Sequence, residues 1–238
     1  MDYSSFSSVA KSRFRPVAKE LGFEQVSGTI YQRKRNDWIE GFNLQASSGN
    51  TFFYVNYGVI IPNLWEPFKT EIDSESLGGY TLHRRLNSGK GSGFDRATKD
   101  QVKQSAELVL RKFKEQAEPW FSSISDMRDI AERDLLSSGI KKSDIGKLNY
   151  FQQLGVASYG FLLAKAGDAE NALKWLLEAD RLFSLPLYSA KDGRWVHEKE
   201  KGARLMKPQD YEVEQHQQIK AAIQELKTPN KAKQAGTR

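Results

Sequence analysis

The chain has 238 residues and a mass of 27.1 kDa, which suits one large domain or two small ones. Charged residues make up 28% and mean hydropathy is -0.63, and no apolar run approaches the roughly 20 residues a spanning helix needs, so an integral membrane helix is excluded. The absence of cysteine removes disulfides, zinc ribbons, iron–sulfur clusters and thiol nucleophiles. Net charge is +6, enough to permit an acidic partner without requiring one. Its placement is uneven. Between His83 and Lys114 stand nine Lys/Arg and three Asp/Glu, so segment 83–114 carries the whole excess.

Residues 4–21 recur apolar at helical spacing through Phe6, Val9, Phe14, Val17, Ala18 and Leu21, and Gly22 ends the predicted helix. The start of the chain is Ser-rich and lacks the continuous apolar stretch of a signal peptide, so the cytoplasm is the expected compartment. From Phe23 to Ile61 the pattern turns to strand. Aromatic and β-branched runs over 29–33, 38–47 and 51–61 are separated by Asn36-Asp37 and by Ser48-Gly49-Asn50, which predicts an antiparallel meander. Register follows from side-chain type. A tight turn at Gly49-Asn50 sets Ala46 opposite Phe53, Leu44 opposite Val55 and Phe42 opposite Tyr57, all apolar, and Gln45 opposite Tyr54 and Asn43 opposite Asn56 on the reverse face. The Asn36-Asp37 turn sets Arg33 against Glu40.

Pro62, Pro67 and the acidic Glu71, Asp73 and Glu75 interrupt the sheet before a fourth strand over 80–86, with Tyr80, Leu82 and Leu86 inward and His83 and Arg85 outward. The run Asn87-Ser88-Gly89-Lys90-Gly91-Ser92-Gly93 lacks the spacing of a phosphate loop and reads as a flexible connector. A helix over 98–116 follows on the stripe Val102, Ala106, Val109, Phe113 and Ala117, closed by Pro119. Another is expected around Ile124, Met127, Ile130, Ala131 and Leu135.

Beyond Gly139 the chain reads as helical over 148–166 and 169–183, with Asp168 as N-cap. Residues 184–205 have no clear period and read as an irregular excursion holding a short hairpin. A last helix runs from Pro208 to about 226. Residues 227–238, with four basic residues and no acid, are expected to be disordered. The expected class is α+β: a meander of about four strands packed by the first and following helices, with an α-helical appendage. The domains are 1–137, 138–226 packed on it, and the tail 227–238.

The order Leu21-Gly22-Phe23, Tyr31-Gln32-Arg33, Phe42-Asn43-Leu44-Gln45-Ala46-Ser47, Phe53-Tyr54-Val55-Asn56-Tyr57-Gly58-Val59 and Pro119-Trp120-Phe121 resembles the domain-of-unknown-function 4304 family over roughly residues 1–137. The resemblance implies a bacterial cytoplasmic α+β domain with no catalytic residues to carry over, in settings such as toxin immunity or phage defence. Val156, Tyr159-Gly160 and Leu163, followed by Ala172, Leu176 and Ala179, resemble a single tetratricopeptide hairpin. A lone hairpin cannot bury both faces, so it is expected to pack on the amino-terminal domain or on a partner.

Two surfaces are candidates. The outward face of the meander, with Asn43, Gln45, Tyr54, Asn56, His83 and Arg85, combines amides that donate and accept with an aromatic of low entropy cost, which suits a specific protein partner. The alternative is a nucleic-acid or phosphate-backbone contact through Arg84, Arg85, Lys90, Lys99 and Lys103 in segment 83–114. Asp95, Asp100 and Glu107 stand among these cations and are expected to neutralise part of that surface by local pairs. His83, His197 and His216 lack ligand spacing, and no nucleophile-elbow or zinc-protease pattern occurs. The expectation is a non-enzymatic protein-binding module without metal or cofactor.

Overall fold

In the computed structural model of the chain, residues 3–49, 51–65, 81–89, 91–192, 194–197 and 199–228 are described, with side chains from residue 6 onward. They fall into two compact units, one over Met1–Pro62 and Asp73–Ser125, the other over Asn63–Ile72 and Asp126–Arg238.

The first unit is α+β. Its first helix, α1 (Tyr3–Glu20), buries Phe6, Ala10, Phe14, Val17, Ala18 and Leu21, the stripe a 3.6-residue repeat places on one side. Gly22 follows with φ of 76°, a left-handed position at which a β-carbon would be strained. Strands β1 (Glu24–Ser27), β2 (Ile30–Arg35), β3 (Trp38–Ala46) and β4 (Phe52–Ile60) form the antiparallel meander, and β5 (Leu82–Arg85) and β6 (Phe94–Asp95) both pair with β4. The predicted register holds. Phe42 faces Tyr57, Leu44 faces Val55 and Ala46 faces Phe53, with Asn43 opposite Asn56 and Gln45 opposite Tyr54 between them. Arg33 faces Glu40 across a turn in which Asn36 takes a φ of 50°.

The apolar face of the sheet meets α1 and the long helical run that follows. Phe42 lies 5.2 Å from both Phe23 and Phe113 between ring centroids, and Phe53 lies 5.4 Å from Phe6 and 5.6 Å from Phe14. Helix α2 (Lys99–Lys112) opens on a capping box in which Thr98 and Gln101 bond reciprocally, satisfying two orphan donors. Pro119 does not close it. The chain passes through a π turn, Phe113–Ala117, into α3 (Glu118–Ser122), with Pro119 in the first turn of α3. The wider turn carries the helix past a residue whose ring would otherwise press on the preceding turn.

Three strand features differ from the sequence reading. Four exposed residues form β1 where no separate strand is predicted, and β6 adds two residues within the stretch read as approach to the helix. The fourth strand is limited to Leu82–Arg85. Leu82 and Leu86 are buried as expected, whereas Tyr80, Pro67, Glu71, Asp73, Glu75, Asn50 and Lys90 lie outside the described residues.

The second unit contains α4 (Met127–Ser137), α5 (Gln153–Lys165), α6 (Ala169–Phe183), a three-stranded sheet of β7 (Tyr188–Ser189), β8 (Trp195–Val196) and β9 (Arg204–Leu205) in the order β8-β7-β9, and α7 (Asp210–Lys227). Asp168 caps α6 by accepting from the Asn171 backbone N–H at 3.3 Å. Helices α5 and α6 make the predicted hairpin, and Gly160 sets their approach: a β-carbon there would stand 2.9 Å from the Leu176 side chain. The hairpin finds its partners inside its own unit, since α4 packs on α5 and α7 on α6. Helix α4 accordingly groups with the hairpin, in the unit that takes in Asp126 onward. Residues 184–205 hold a small sheet, whose two-residue strands are too short for a period to show. Most of the 227–238 tail lies outside the described residues.

Candidate functional site

Strand alternation sends Asn43 and Gln45 on β3, Tyr54 and Asn56 on β4 and His83 and Arg85 on β5 to the face of the sheet opposite the aromatic core. Five of these six form one network. The Asn56 side-chain N–H groups donate to Asn43 Oδ1 and Gln45 Oε1, both at 3.1 Å. Arg85 donates from Nε to Asn56 Oδ1 at 2.9 Å and from Nη2 to Gln45 Oε1 at 3.3 Å, and its guanidinium carbon sits 4.3 Å from the Tyr54 ring centre. His83 pairs with Gly58 on the same face and stands apart from the network.

The direction of these bonds matters. All three amide oxygens accept within the network, so what the face has left over is mainly donors: the Asn43 and Gln45 side-chain N–H groups and the remaining Arg85 N–H groups, beside the Tyr54 hydroxyl, which can donate or accept. Such a surface is complementary to carbonyls and carboxylates. It is also held in place before any partner arrives, which lowers the ordering cost of binding.

A groove of about 650 Å³ adjoins this face, lined by Phe52 and Tyr54 from β4, Gly93 and Phe94 beside them, and Leu108 and Arg111 from α2. Phe52 is 44% exposed. It lies against Gly93, where a β-carbon would come within 3.3 Å of the ring. The described residues at the start of the glycine-rich run between β5 and β6, read from the sequence as a flexible connector, are hydrogen-bonded. The Ser88 N–H and hydroxyl both donate to Gly91 O, at 2.8 and 3.0 Å. The Gly89 N–H donates to Asn87 Oδ1, and Asn87 and Gln116 exchange two bonds. The N–H groups of Asn87, Ser88 and Gly89 are thereby committed inside the protein.

Of the alternative contact residues, Arg84 and Arg85 fall on opposite faces of β5. Arg84 points away from Arg85, to the core side of β5, where its guanidinium carbon lies 5.5 Å from the Trp120 ring. Burial raises the pKa of the Tyr57 hydroxyl and the neighbouring Arg84 opposes that rise. Lys99 and Lys103 are exposed on α2, and Lys90 lies outside the described residues. The expected local pairs through Asp95, Asp100 and Glu107 are not made among the described residues. The acids in use are Glu115, 2.6 Å from Lys112, and Glu20, 2.6 Å from Lys114, both outside the trio that sequence proximity suggested.

A second polar cluster occupies the core side of the same strands. Glu40 is fully buried and bonds to Arg33 at 2.6 Å and Arg35 at 2.9 Å, and Arg33 also grips both carboxylate oxygens of Glu118 at 2.9 Å and the Leu21 carbonyl at 2.8 Å. Its guanidinium carbon stands 4.4 Å from the Phe23 ring centre. The facing of Arg33 and Glu40 is legible in the sequence. Glu118 is 85 residues away from Arg33 and carries no local signal. This cluster ties Leu21, just beyond α1, to β2, β3 and α3, which marks it as structural.

No group of three or more His, Asp or Glu among the described residues is arranged to hold a metal, and none of the described helices is long and apolar enough to cross a membrane. Residues 14–123 match the family model described as Domain of unknown function (DUF4304). No curated protein and no solved structure shows significant similarity to the chain.

Proposed function

We propose that the DUF4304 domain formed by residues 14–123 is a non-enzymatic bacterial binding module that recognises a protein partner through the outer face of β3, β4 and β5. The observation that carries this reading is the preorganised Asn43–Asn56–Gln45–Arg85 network over Tyr54, in which every amide oxygen already accepts and the uncommitted groups are mainly donors. Backbone carbonyls and acidic side chains of a partner strand or loop match that array. The adjoining groove, with Phe52 on its wall, offers an apolar anchor site beside it, the arrangement in which an aromatic contact and a polar surround cooperate. Arg84 and Arg85 lie on opposite faces of β5, which weighs against a continuous phosphate track.

Toxin immunity or phage defence in the cytoplasm is the setting in which to look for the partner, through the proteins encoded beside this chain. The test places a photo-reactive amino acid at Gln45 and, as a control, at Lys99. The expected result is a discrete protein adduct from position 45 that disappears when Arg85→Glu is added. Adducts to nucleic acid, or equal protein adducts from both positions, would move the reading to the basic segment or abolish it.

A further inference from the structure

The second unit carries a groove of about 410 Å³ between the end of α6, the first turns of α7 and the small sheet. Its walls are apolar, with Leu185, Leu187, Leu205, Met206 and Val213 among them. Leu205 is 65% exposed, Val213 43% and Met206 39%. Three large apolar side chains left in water around one concavity are what a surface without a partner ordinarily avoids.

Cations outnumber carboxylates along the groove, Lys207 and Lys220 against Glu212. The Glu212 carboxylate accepts from the Tyr150 hydroxyl and, at 2.8 Å, from the Gln209 backbone N–H, so both its oxygens are engaged while its charge remains. Asp180 behind the groove bonds His216 Nε2 at 2.7 Å. Lys207 and Lys220 line the groove and Arg204 stands on the adjoining strand. No carboxylate of the described residues lies within ion-pair distance of these three cations. An occupant must therefore bring both apolar groups and negative charge.

The small sheet adds a third requirement. Its order, β8-β7-β9, leaves β9 as an outer strand, and Leu205 at the end of that strand is part of the groove wall. An open strand edge offers backbone hydrogen bonds that an extended peptide can use and an acyl chain cannot. We infer that this groove is a docking site for an extended acidic-apolar peptide segment of a partner protein, its apolar side chains seated among Leu185, Leu205 and Val213 and its carboxylates on Lys207 and Lys220.

The probe is a fluorescein-labelled peptide of alternating Leu and Glu, titrated with the full chain and read by fluorescence polarisation. Binding is expected to weaken at least tenfold in the Lys207→Glu/Lys220→Glu variant and in Val213→Asp, with circular dichroism melting curves unchanged for the lysine variant, since both lysines are exposed. Peptides with Lys in place of Glu, or Ser in place of Leu, are expected not to bind. Equal binding of the Leu/Lys peptide would overturn the proposal, as would insensitivity to both variants or failure of the Leu/Glu peptide to bind. Saturation by decanoate alone would reassign the groove to an acyl ligand, and self-association lost in Val213→Asp would reassign it to a second copy.

Discussion

Glu40 in the first unit and Asp134 in the second are buried in opposite ways, and Glu178 of the second unit, paired with Arg181, follows the pattern of Glu40. In the first, Glu40 is fully buried and receives two guanidinium groups, one of which is shared with Glu118. In the second, Asp134 on α4 is 7% exposed and accepts from the Ser158 hydroxyl at 2.8 Å, and burial pushes its pKa up to about 6. A buried acid can be kept by supplying cations or by letting the proton stay, and the two choices leave different signatures. Paired burial makes stability depend on the partner side chain. Unpaired burial makes it depend on pH.

The sharpest way to break the first arrangement is Arg33→Ala. It strands Glu40 in the core with Arg35 alone and removes the only link from β2 to Glu118 among the described residues. Removing one partner of a buried ion pair costs about 3 to 5 kcal/mol, so a large fall in the urea midpoint of the first unit is expected. A loss under about 1 kcal/mol would show that the cluster behaves as a surface pair.

Next in size is Leu44→Ala. The register that turns Glu40 inward turns Leu44 inward four residues later, 4% exposed and opposite Val55. Truncation there is expected to cost about 2 to 5 kcal/mol. Equilibrium unfolding measures it. A neutral outcome would mean that this end of the sheet is held by its helices and not by the strand pairing.

The second arrangement is tested by pH. The unfolded chain releases the Asp134 proton near 3.8 and the folded chain near 6, so between those values the folded state holds the extra proton. Stability from this group is fully present below about pH 4 and is lost as pH rises through 6. Asp134→Asn keeps an oxygen for Ser158 and removes the charge. It is expected to be more stable than the parent at pH 7, by about 3 kcal/mol, with the gain vanishing near pH 4. A difference that stays constant across pH 4 to 7 would place the effect in packing.

How far the sequence reveals these features follows from the range of each interaction. Strand register is legible because adjacent pairs must match in type, and every pair from Phe42–Tyr57 to Ala46–Phe53 obeys that rule. The outer network follows from it, since fixing Asn43, Gln45, Tyr54 and Asn56 on one face brings their side chains within reach. The π turn and the Glu118 contact are illegible locally because each depends on what the long helix meets across the sheet. Asp134 left a trace. It sits three residues after Ala131 and four after Ile130, on the same helical stripe, and an acid in an apolar stripe signals burial. The apolar groove left almost none, because Leu185, Leu205 and Val213 come from segments joined only by the fold.

The smallest expected stability effect completes the comparison, on the opposite face of the sheet from Arg33. Arg85 resembles Arg33 in chemistry, with two bonds to side-chain oxygens and an aromatic ring beneath it, yet it is exposed. Water can replace what Arg85→Ala removes, and the amides beneath remain bonded to each other through Asn56. The cation–aromatic contact is worth about 0.5 to 1 kcal/mol at such a site, so the unfolding free energy from urea titration should fall by less than about 1 kcal/mol, and Gln45→Ala should be nearly silent. Measured together, Arg33→Ala and Arg85→Ala separate two uses of one residue type. If Arg85→Ala costs as much as Arg33→Ala, the outer network belongs to the support of the fold and the binding face must be sought elsewhere.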